Sequence, residues 1–426
     1  MKAKIIPFIT TITLVSLFLF SCEDTTYKEY EGNAPVYMSY ADLRTSVAEE
    51  QNADLKNPGK IYFKDNYIFI VEELKGVHVY DNTVPSSPVN KAFVKLPGVV
   101  DISISGSVMY ADSYVDLVVL NVEDVNNIRE TGRIKDVLPY TIPPTGNDYP
   151  MGSIDQTKGV IVGWELRTIR EKVDQTPYPY PVFWGKGVYY DMVNAGGAST
   201  GVSGSGTGAG GSMARFGIKD NVLYVLDNNI IKIFDITNKT SPVKYNEIYQ
   251  GWGIETMFLT DKSMFLGTST GMAILDISIP LSPNYKAFFT HATSCDPVIV
   301  DDTLAYITLR SGTTCGGSLN SLDVVNIRNL ESPGLVMSYS MLNPHGLGKD
   351  GDLLFICDGS AGLKVFDASD PEKISDHLIY TYPAINAYDV IPVGNILILI
   401  GDNGLYEYDY SNVQDITLLS SILTVP

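Results

Sequence analysis

The sequence predicts an all-β protein built from repeated units of about 40 residues. The first observation is compositional: 37 Gly and 23 Pro separate short runs of Val, Ile and Tyr, as in short strands joined by turns. The second is that no long segment shows the 3.6-residue apolar period of an amphipathic helix. The third is a short motif that recurs seven times along the 426 residues.

The charge balance excludes several function classes. The chain has 30 basic and 49 acidic residues, which gives a formal net charge of -19. Such a charge repels phosphate groups, so binding to nucleic acid, or to an anionic membrane through a basic face, is not expected. With 45% apolar and 19% charged residues, the chain is expected to fold rather than to be disordered.

The N-terminus has the order of a secretory signal. Lys2 and Lys4 precede an apolar run at residues 5–20, which is too short for a comfortable membrane span. The run ends in Leu19-Phe20-Ser21-Cys22, which resembles a bacterial lipobox although Phe20 is bulkier than the usual occupant. We therefore predict a lipoprotein signal peptide over 1–21 and lipidation of Cys22. The alternative is an ordinary signal peptide with an incidental cysteine.

The segment after this cysteine is predicted to be a tether. Residues 22–57 form a lipidated tether and N-terminal segment, because residues 23–34 show no apolar period. Glu23-Asp24 is similar to the surface-export signals of Bacteroidota lipoproteins. The expected location is the outer membrane, on its periplasmic or cell-surface side, with the surface favoured and the lipid anchor as the only membrane contact.

The repeat is the strongest signal in the sequence. Each copy has alternating apolar residues followed by Asp or Asn, with a proline several residues later. The copies are Gly76–Asp81, Asp116–Asn121, Ile230–Asp235, Gly271–Asp276, Ser321–Asn326, Gly362–Asp367 and Gly404–Asp409. Four short strands fit each unit, which is typical of a blade that stacks radially against its neighbours. We predict a seven-bladed β-propeller over 58–426, with a long top-face insertion at about 135–212 between blades 2 and 3.

At these motifs the chain resembles the LVIVD-repeat β-propeller family, whose unit reads roughly Gly-Leu-apolar-Ile-Val-Asp-Ile-Ser followed by Pro. Gly271–Ser278 and Gly362–Ser369 match best, whereas Asn121 and Asn326 replace the aspartate. The resemblance covers about 300 residues. The resemblance implies a propeller fold and a location outside the cell or on its surface. It implies no particular activity. The repeated Asp or Asn is expected to cap the turn after the third strand.

Ionisable residues recur where each first strand begins. If the first strand is innermost, these residues lie near the mouth of the central channel, on a face that we call the top face. They are Lys60, Asp101, Arg215, Glu255, Asp296, His345 and Asp389. Acids flank both cations in ring order, so the main expectation is a solvated, mutually paired lining.

A subset of this ring suggests a possible metal site. Glu255, Asp296, His345 and Asp389 come from four consecutive blades and place three carboxylates around one imidazole. Such a set suits Ca²⁺, Mg²⁺ or Mn²⁺ better than a structural zinc. A divalent cation such as Ca²⁺ is therefore the one cofactor that the sequence suggests, and otherwise none is expected.

Aromatic residues are predicted to gather on the top face. Tyr178, Tyr180 and Trp184 lie in the insertion, and Trp252 opens the fourth blade. Aromatic platforms beside polar groups suit sugar rings or peptide side chains. The alternative is that they pin the insertion onto the propeller.

Three cysteines follow the signal segment and Cys22. Cys295 and Cys315 flank the first two strands of the fifth blade, and an exported location permits a disulfide between them. Cys357 lies in an apolar run and is expected to be a buried free thiol.

The sequence favours a lipid-anchored envelope propeller that acts as a non-catalytic binding or assembly module for protein or glycan. The rival is a lyase or hydrolase acting on polysaccharide, with a carboxylate and His site at the channel mouth. A purely structural envelope lipoprotein is a third possibility. Sequences that fit GxGxxG at Gly206–Gly211 and GxSxG at Gly267–Gly271 lack the helix that either motif requires.

Overall fold

A computed structural model describes residues 27–50, 53–138, 141–172, 209–210, 212, 214–227, 229–251, 253–292, 297–311, 319–383 and 385–425. The chain divides into two compact units. The smaller unit contains the described residues among 27–36, 145–154 and 164–172, and the larger unit contains the other described residues.

The first elements are strand β1 (Tyr27–Met38), helix α1 (Tyr40–Leu43) and strand β2 (Ala48–Glu50). Ser39 caps α1, because its Oγ accepts a hydrogen bond of 3.1 Å from the Asp42 N–H. No helix among the described residues is long and apolar enough to cross a membrane. The sequence predicted a tether over 23–34, but from Tyr27 onward the chain is a strand.

The first two blades follow directly. Blade 1 contains β3 (Pro58–Lys64), β4 (Tyr67–Glu72), β5 (Gly76–Asp81) and β6 (Val89–Lys95), and blade 2 contains β7 (Ile102–Ser105), β8 (Val108–Ser113), β9 (Asp116–Asn121) and β10 (Arg129–Ile134). A 3-10 helix (Gln156–Lys158), β11 (Val160–Lys172) and β12 (Ala209–Gly210) come next. β11 pairs with β1, β12 pairs with β3, and β2 pairs with β6.

Five further four-stranded blades complete the chain. Blade 3 contains β13 (Phe216–Lys219), β14 (Val222–Asp227), β15 (Ile230–Asp235) and β16 (Val243–Tyr249). Blade 4 contains β17 (Ile254–Leu259), β18 (Ser263–Thr268), β19 (Gly271–Asp276) and β20 (Asn284–Thr290). Blade 5 contains β21 (Val298–Asp301), β22 (Leu304–Leu309), β23 (Ser321–Asn326) and β24 (Gly334–Ser340). Blade 6 contains β25 (Leu347–Asp350), β26 (Leu353–Cys357), β27 (Leu363–Asp367), a 3-10 helix (Ile374–His377) and β28 (Leu378–Tyr382). Blade 7 contains β29 (Ala387–Val393), β30 (Ile396–Gly401), β31 (Gly404–Asp409) and β32 (Thr417–Leu423).

The seven sheets form a ring. Within each blade the four strands pair antiparallel in chain order. The first strand of every blade contacts the first strands of both neighbouring blades, including β29 against β3, so the first strands are innermost. The predicted seven-bladed propeller is therefore confirmed. Because successive strands reverse direction, the loops before the first strands and those between second and third strands share the top face. The other loops form the bottom face.

Apolar packing closes the ring between blades 7 and 1. Ile61 and Ile70 of blade 1 form one buried cluster with Ile391 and Ile400 of blade 7. Blade 7 is completed by its own fourth strand, β32. Near this junction the Val425 N–H donates a hydrogen bond of 2.8 Å to the Leu55 carbonyl.

Leu43, which ends helix α1, and Arg44, which follows it, contact blade 2. The Leu43 side chain is fully buried in a cluster with Tyr114 and Val160. The Arg44 Nε lies 2.9 Å from Asp116 Oδ2, at the start of β9. Burial alone would raise the pKa of Asp116. The hydrogen bonds that its carboxylate accepts, above all the one from Arg44, outweigh burial and lower this pKa.

The repeated Asp and Asn residues cap turns, as predicted. In each blade the side-chain Oδ1 accepts a hydrogen bond from the backbone N–H two residues later. The distances are 3.0 Å for Asp81, 2.8 Å for Asn121, 2.8 Å for Asp235, 2.8 Å for Asp276, 3.0 Å for Asn326, 2.9 Å for Asp367 and 2.8 Å for Asp409. The motif is therefore a structural signature of the blade.

Candidate functional site

Local irregularities in the first strands place several of the predicted ring residues. The pairing register shifts between Pro58 and Ile61 in β3, between Ile254 and Thr256 in β17, and between Ala387 and Asp389 in β29. Such bulges bend a strand and re-aim side chains. Lys60 and Glu255 lie inside two of them, and Asp389 ends the third.

The six described ring residues lie where the first strands begin, on the top face. Five of them are buried, namely Lys60, Asp101, Glu255, His345 and Asp389, while Arg215 is half-buried. The expectation of a solvated lining is therefore wrong for those five residues. Asp296, the seventh member, lies outside the described residues.

Asp101 joins three consecutive blades. Its Oδ2 accepts hydrogen bonds from Lys60 Nζ of blade 1 at 3.0 Å, from the Arg215 N–H of the blade 3 segment at 2.6 Å, and from the Phe216 N–H at 3.2 Å. Its Oδ1 accepts from the Ile102 N–H at 2.8 Å. One carboxylate is thus saturated by donors from both neighbouring blades and from its own strand.

Two acids that the sequence analysis missed lie beside this network. Asp112 Oδ1 accepts hydrogen bonds from the Val100 and Asp101 N–H groups at 2.7 and 3.0 Å. Burial raises the pKa of Asp112 to about 6. Burial also raises the pKa of Glu73 to about 8, and the Lys60 amine opposes this increase. Both acids lie near the ends of second strands, which the strand order already assigns to the top face.

Asp389 is the fully buried counterpart of Asp101 in blade 7. Its Oδ1 accepts a hydrogen bond of 2.5 Å from the Val390 N–H. Its Oδ2 is buried and has no hydrogen-bond partner among the described residues. Burial raises the pKa of the Asp389 carboxyl well above its usual range, against the opposing charge of Lys60. Burial therefore favours the neutral form of the Asp389 carboxyl.

We call Lys60, Glu73, Asp101, Asp112, Arg215 and Asp389 the mouth cluster. Lys60 interacts electrostatically with each of the other five. Its own pKa is lowered by burial, against the raising effect of Asp101. Two more buried atoms of the cluster, Glu73 Oε1 and Arg215 Nε, have no hydrogen-bond partner among the described residues.

The other arc of the predicted ring is centred on His345. Its backbone N–H donates a hydrogen bond of 2.6 Å to the Cys357 carbonyl, and its ring centroid lies 5.2 Å from that of Tyr388. Asn343 Nδ2 lies 3.1 Å from His345 Nε2. Within the described part of the chain, no three His, Cys, Asp or Glu residues form a group suited to a metal ion. Because Asp296 lies outside that part, the metal site stays a prediction.

Several predicted residues cannot be placed. Outside the described residues lie Cys22, Tyr178, Tyr180, Trp184, Trp252, Cys295 and Cys315. The lipidation site, the aromatic face and the disulfide therefore stay predictions. Cys357 is a fully buried free thiol, as predicted. Burial raises its pKa, and the nearby Asp389 and Asp358 add to the increase.

Comparison with known proteins yields similar structures and no similar sequence family. No family model matches the chain, and no curated protein matches it. A dihydro-heme d1 dehydrogenase in complex with DHE is similar, with a TM-score of 0.49 and 11% identity over 88% of this chain and 68% of that one. The computationally designed Ika8 protein has a TM-score of 0.48 and 9% identity over 87% and 90% of the two chains. A protein from Lactobacillus plantarum has a TM-score of 0.45 and 11% identity over 88% and 87%.

Proposed function

We propose that this chain is a lipid-anchored β-propeller of the cell envelope that binds a protein or glycan partner non-covalently through its top face. The proposal includes membership of the LVIVD-repeat family, lipidation of Cys22 and an outer-membrane location with the surface side favoured. These parts rest on the sequence motifs described above.

The observation that carries the binding function is the set of unsatisfied polar atoms in the mouth cluster. Buried polar atoms are nearly always hydrogen-bonded, and leaving one unsatisfied costs about 1–3 kcal/mol. Glu73 Oε1, Arg215 Nε and Asp389 Oδ2 each lack a protein partner among the described residues, on one face of one ring. Hydroxyl, carbonyl and amide groups of a glycan or a peptide would satisfy these atoms.

Binding is tested with two purified probes on the immobilised full chain: envelope polysaccharide, and detergent-solubilised envelope protein. We expect one probe to bind, and the E73Q/D389N double variant to weaken that binding at least tenfold while its melting temperature is retained. The E123Q/E331Q variant, which replaces two exposed acids by neutral amides, is the control and should bind like the natural chain. Equal binding by all three proteins would remove the mouth cluster from the proposal.

The lipid anchor is tested separately. In a Gram-negative expression host that is fed a clickable fatty acid, the natural chain should acquire the label and partition with the outer membrane. The C22S variant should acquire no label. A natural chain that stays unlabelled would refute the anchor and would leave the binding test unaffected.

The second candidate function is a lyase or hydrolase acting on polysaccharide, with Glu255, Asp296, His345 and Asp389 as acid, base or metal ligands. The raised pKa of Asp389 favours this function, because a carboxyl whose protonated form is favoured by burial can act as a general acid. New reducing ends or unsaturated products, abolished in D389N, would establish catalysis. A melting temperature that rises in Ca²⁺ and falls in chelator would establish the metal site.

A further inference from the structure

A second candidate site lies on the bottom face, away from the mouth cluster. A cleft of about 520 Å³ opens between blades 4 and 5 and extends to the first turn of blade 6. This volume falls within the range of small-molecule sites, about 300–1,000 Å³. Its walls are the turn from β17 to β18, the turn from β21 to β22, and the turn that follows β23.

The floor of the cleft is apolar. Phe258 and Phe265 come from the first two strands of blade 4, and Ile299 and Ile327 come from blade 5. These four side chains are buried in the core that the fourth, fifth and sixth blades share, and the half-buried Val300 and Leu330, which also line the cleft, pack against that core. A ligand body that contacts the half-buried Val300 and Leu330 would therefore be aliphatic or aromatic.

The rim of the cleft carries charges of both signs, and most of its acids already have partners. Asp261 lies 3.1 Å from Lys219 Nζ, and Asp301 lies 2.5 Å from Lys349 Nζ. Two exposed rim cations, Lys262 and Arg328, have no ion-pair partner in the part of the chain that the structure describes, and the same holds for the exposed Asp302. The charge left on the rim after pairing is therefore positive, although the whole chain is strongly acidic.

We propose that this cleft binds a small amphiphilic carboxylate. The apolar body contacts the half-buried Val300 and Leu330 on this floor, and the carboxylate is held at the rim by Lys262 and Arg328. An Arg guanidinium can bind a carboxylate through two parallel hydrogen bonds, and the Lys amine adds a mobile positive charge. Asp302 on the same rim reduces the affinity for the anion.

Three probes with the same body and different head groups test the proposal: 4-phenylbutyrate, 4-phenylbutanol and 4-phenylbutylamine, each titrated by calorimetry into the full chain. We expect the carboxylate to bind about tenfold more tightly than the amine, which corresponds to about 1.4 kcal/mol. The preference should shrink as salt is added, because both rim cations are exposed.

Two variants with opposite expected effects locate the site. K262Q/R328Q should reduce the preference for the carboxylate to less than twofold, whereas D302N should raise the affinity for the carboxylate about threefold. The gain in D302N cannot come from misfolding. K75Q/R129Q removes the same charges from exposed positions outside the cleft and should bind like the natural chain. Equal affinity for all three probes, no binding at millimolar concentration, or an unchanged preference in K262Q/R328Q would each overturn the proposal.

Discussion

Asp101 and Asp389 occupy equivalent positions in blades 2 and 7, where the first strand begins, yet their surroundings differ. The Asp101 carboxylate accepts hydrogen bonds from Lys60, from two backbone N–H groups of the next segment and from Ile102. Asp389 accepts one hydrogen bond from Val390 and leaves its second oxygen without a protein partner among the described residues. Equivalent positions in a repeat therefore do not carry equivalent chemistry.

The cause of the difference is one shared cation. Lys60 belongs to blade 1, which lies between blades 7 and 2. Its amine therefore interacts electrostatically with both Asp101 and Asp389. The amine makes its ion pair with Asp101 at 3.0 Å. Asp389 is left buried without a direct cation, and a buried carboxyl without a partner is more stable in its protonated form.

The largest expected effect comes from removing the shared cation. Lys60→Met leaves the Asp101 carboxylate buried beside an apolar side chain, and breaking a buried ion pair costs about 3–5 kcal/mol. Urea unfolding of the single variant should show this loss. The K60M/D101N double variant should recover most of it, because neither charge is then left alone. A cost below about 1 kcal/mol for K60M would mean that Asp101 does not depend on Lys60.

The next largest effect is the pH dependence of stability. Burial raises the pKa of Glu73 to about 8, above its unfolded value, so the folded state holds this proton more tightly. The resulting stabilisation is fully present below about pH 4.5 and is lost as the pH rises towards 8. Between pH 5 and 8 we expect the free energy of unfolding to fall by up to about 4 kcal/mol from this group.

The Asp389 carboxyl, whose pKa is also raised, contributes in the same direction. The control for both groups is E73Q/D389N, whose unfolding free energy should vary less over the same pH range. A natural chain whose stability is flat or rising from pH 5 to 8 would contradict the raised pKa of these two acids.

The smallest effect separates the two aspartates directly. Asp389→Asn replaces a buried carboxyl, whose neutral form burial favours, with a neutral isostere, and the free energy of unfolding should change by less than about 1 kcal/mol. Asp101→Asn leaves Lys60 without its anion and should cost about 3 kcal/mol. Similar costs for the two substitutions, measured in the same denaturant series, would show that the two carboxyls are in fact alike.

The sequence was sufficient to predict the seven blades and the positions at which their first strands begin. The repeat has a nearly constant spacing, so counting back from each Asp or Asn locates Lys60, Asp101 and Asp389 on one face. The sequence could not predict that these side chains are buried, or that Lys60 forms its ion pair with Asp101 rather than with Asp389. Both depend on side-chain conformations across three blades. Glu73 and Asp112 were missed because only the first strands were considered.

The strand at Tyr27–Met38 shows a different limit. Its partner β11 (Val160–Lys172) lies more than 100 residues further along the chain, and local sequence does not report such a pairing. The polar residues at its beginning, which the tether prediction relied on, are exposed in the structure. Polarity without an apolar period is therefore compatible with an exposed two-stranded ribbon.

The junction between blades 7 and 1 has a consequence for engineering the chain. Every blade is encoded by one uninterrupted stretch of sequence, and residue 425 is hydrogen-bonded to residue 55. A short peptide linker should therefore be able to connect the two ends of the propeller, while new termini are opened between any other pair of blades. Such circular permutants would place the chain termini at a chosen position around the circumference and keep the four strands of every blade in one stretch of sequence.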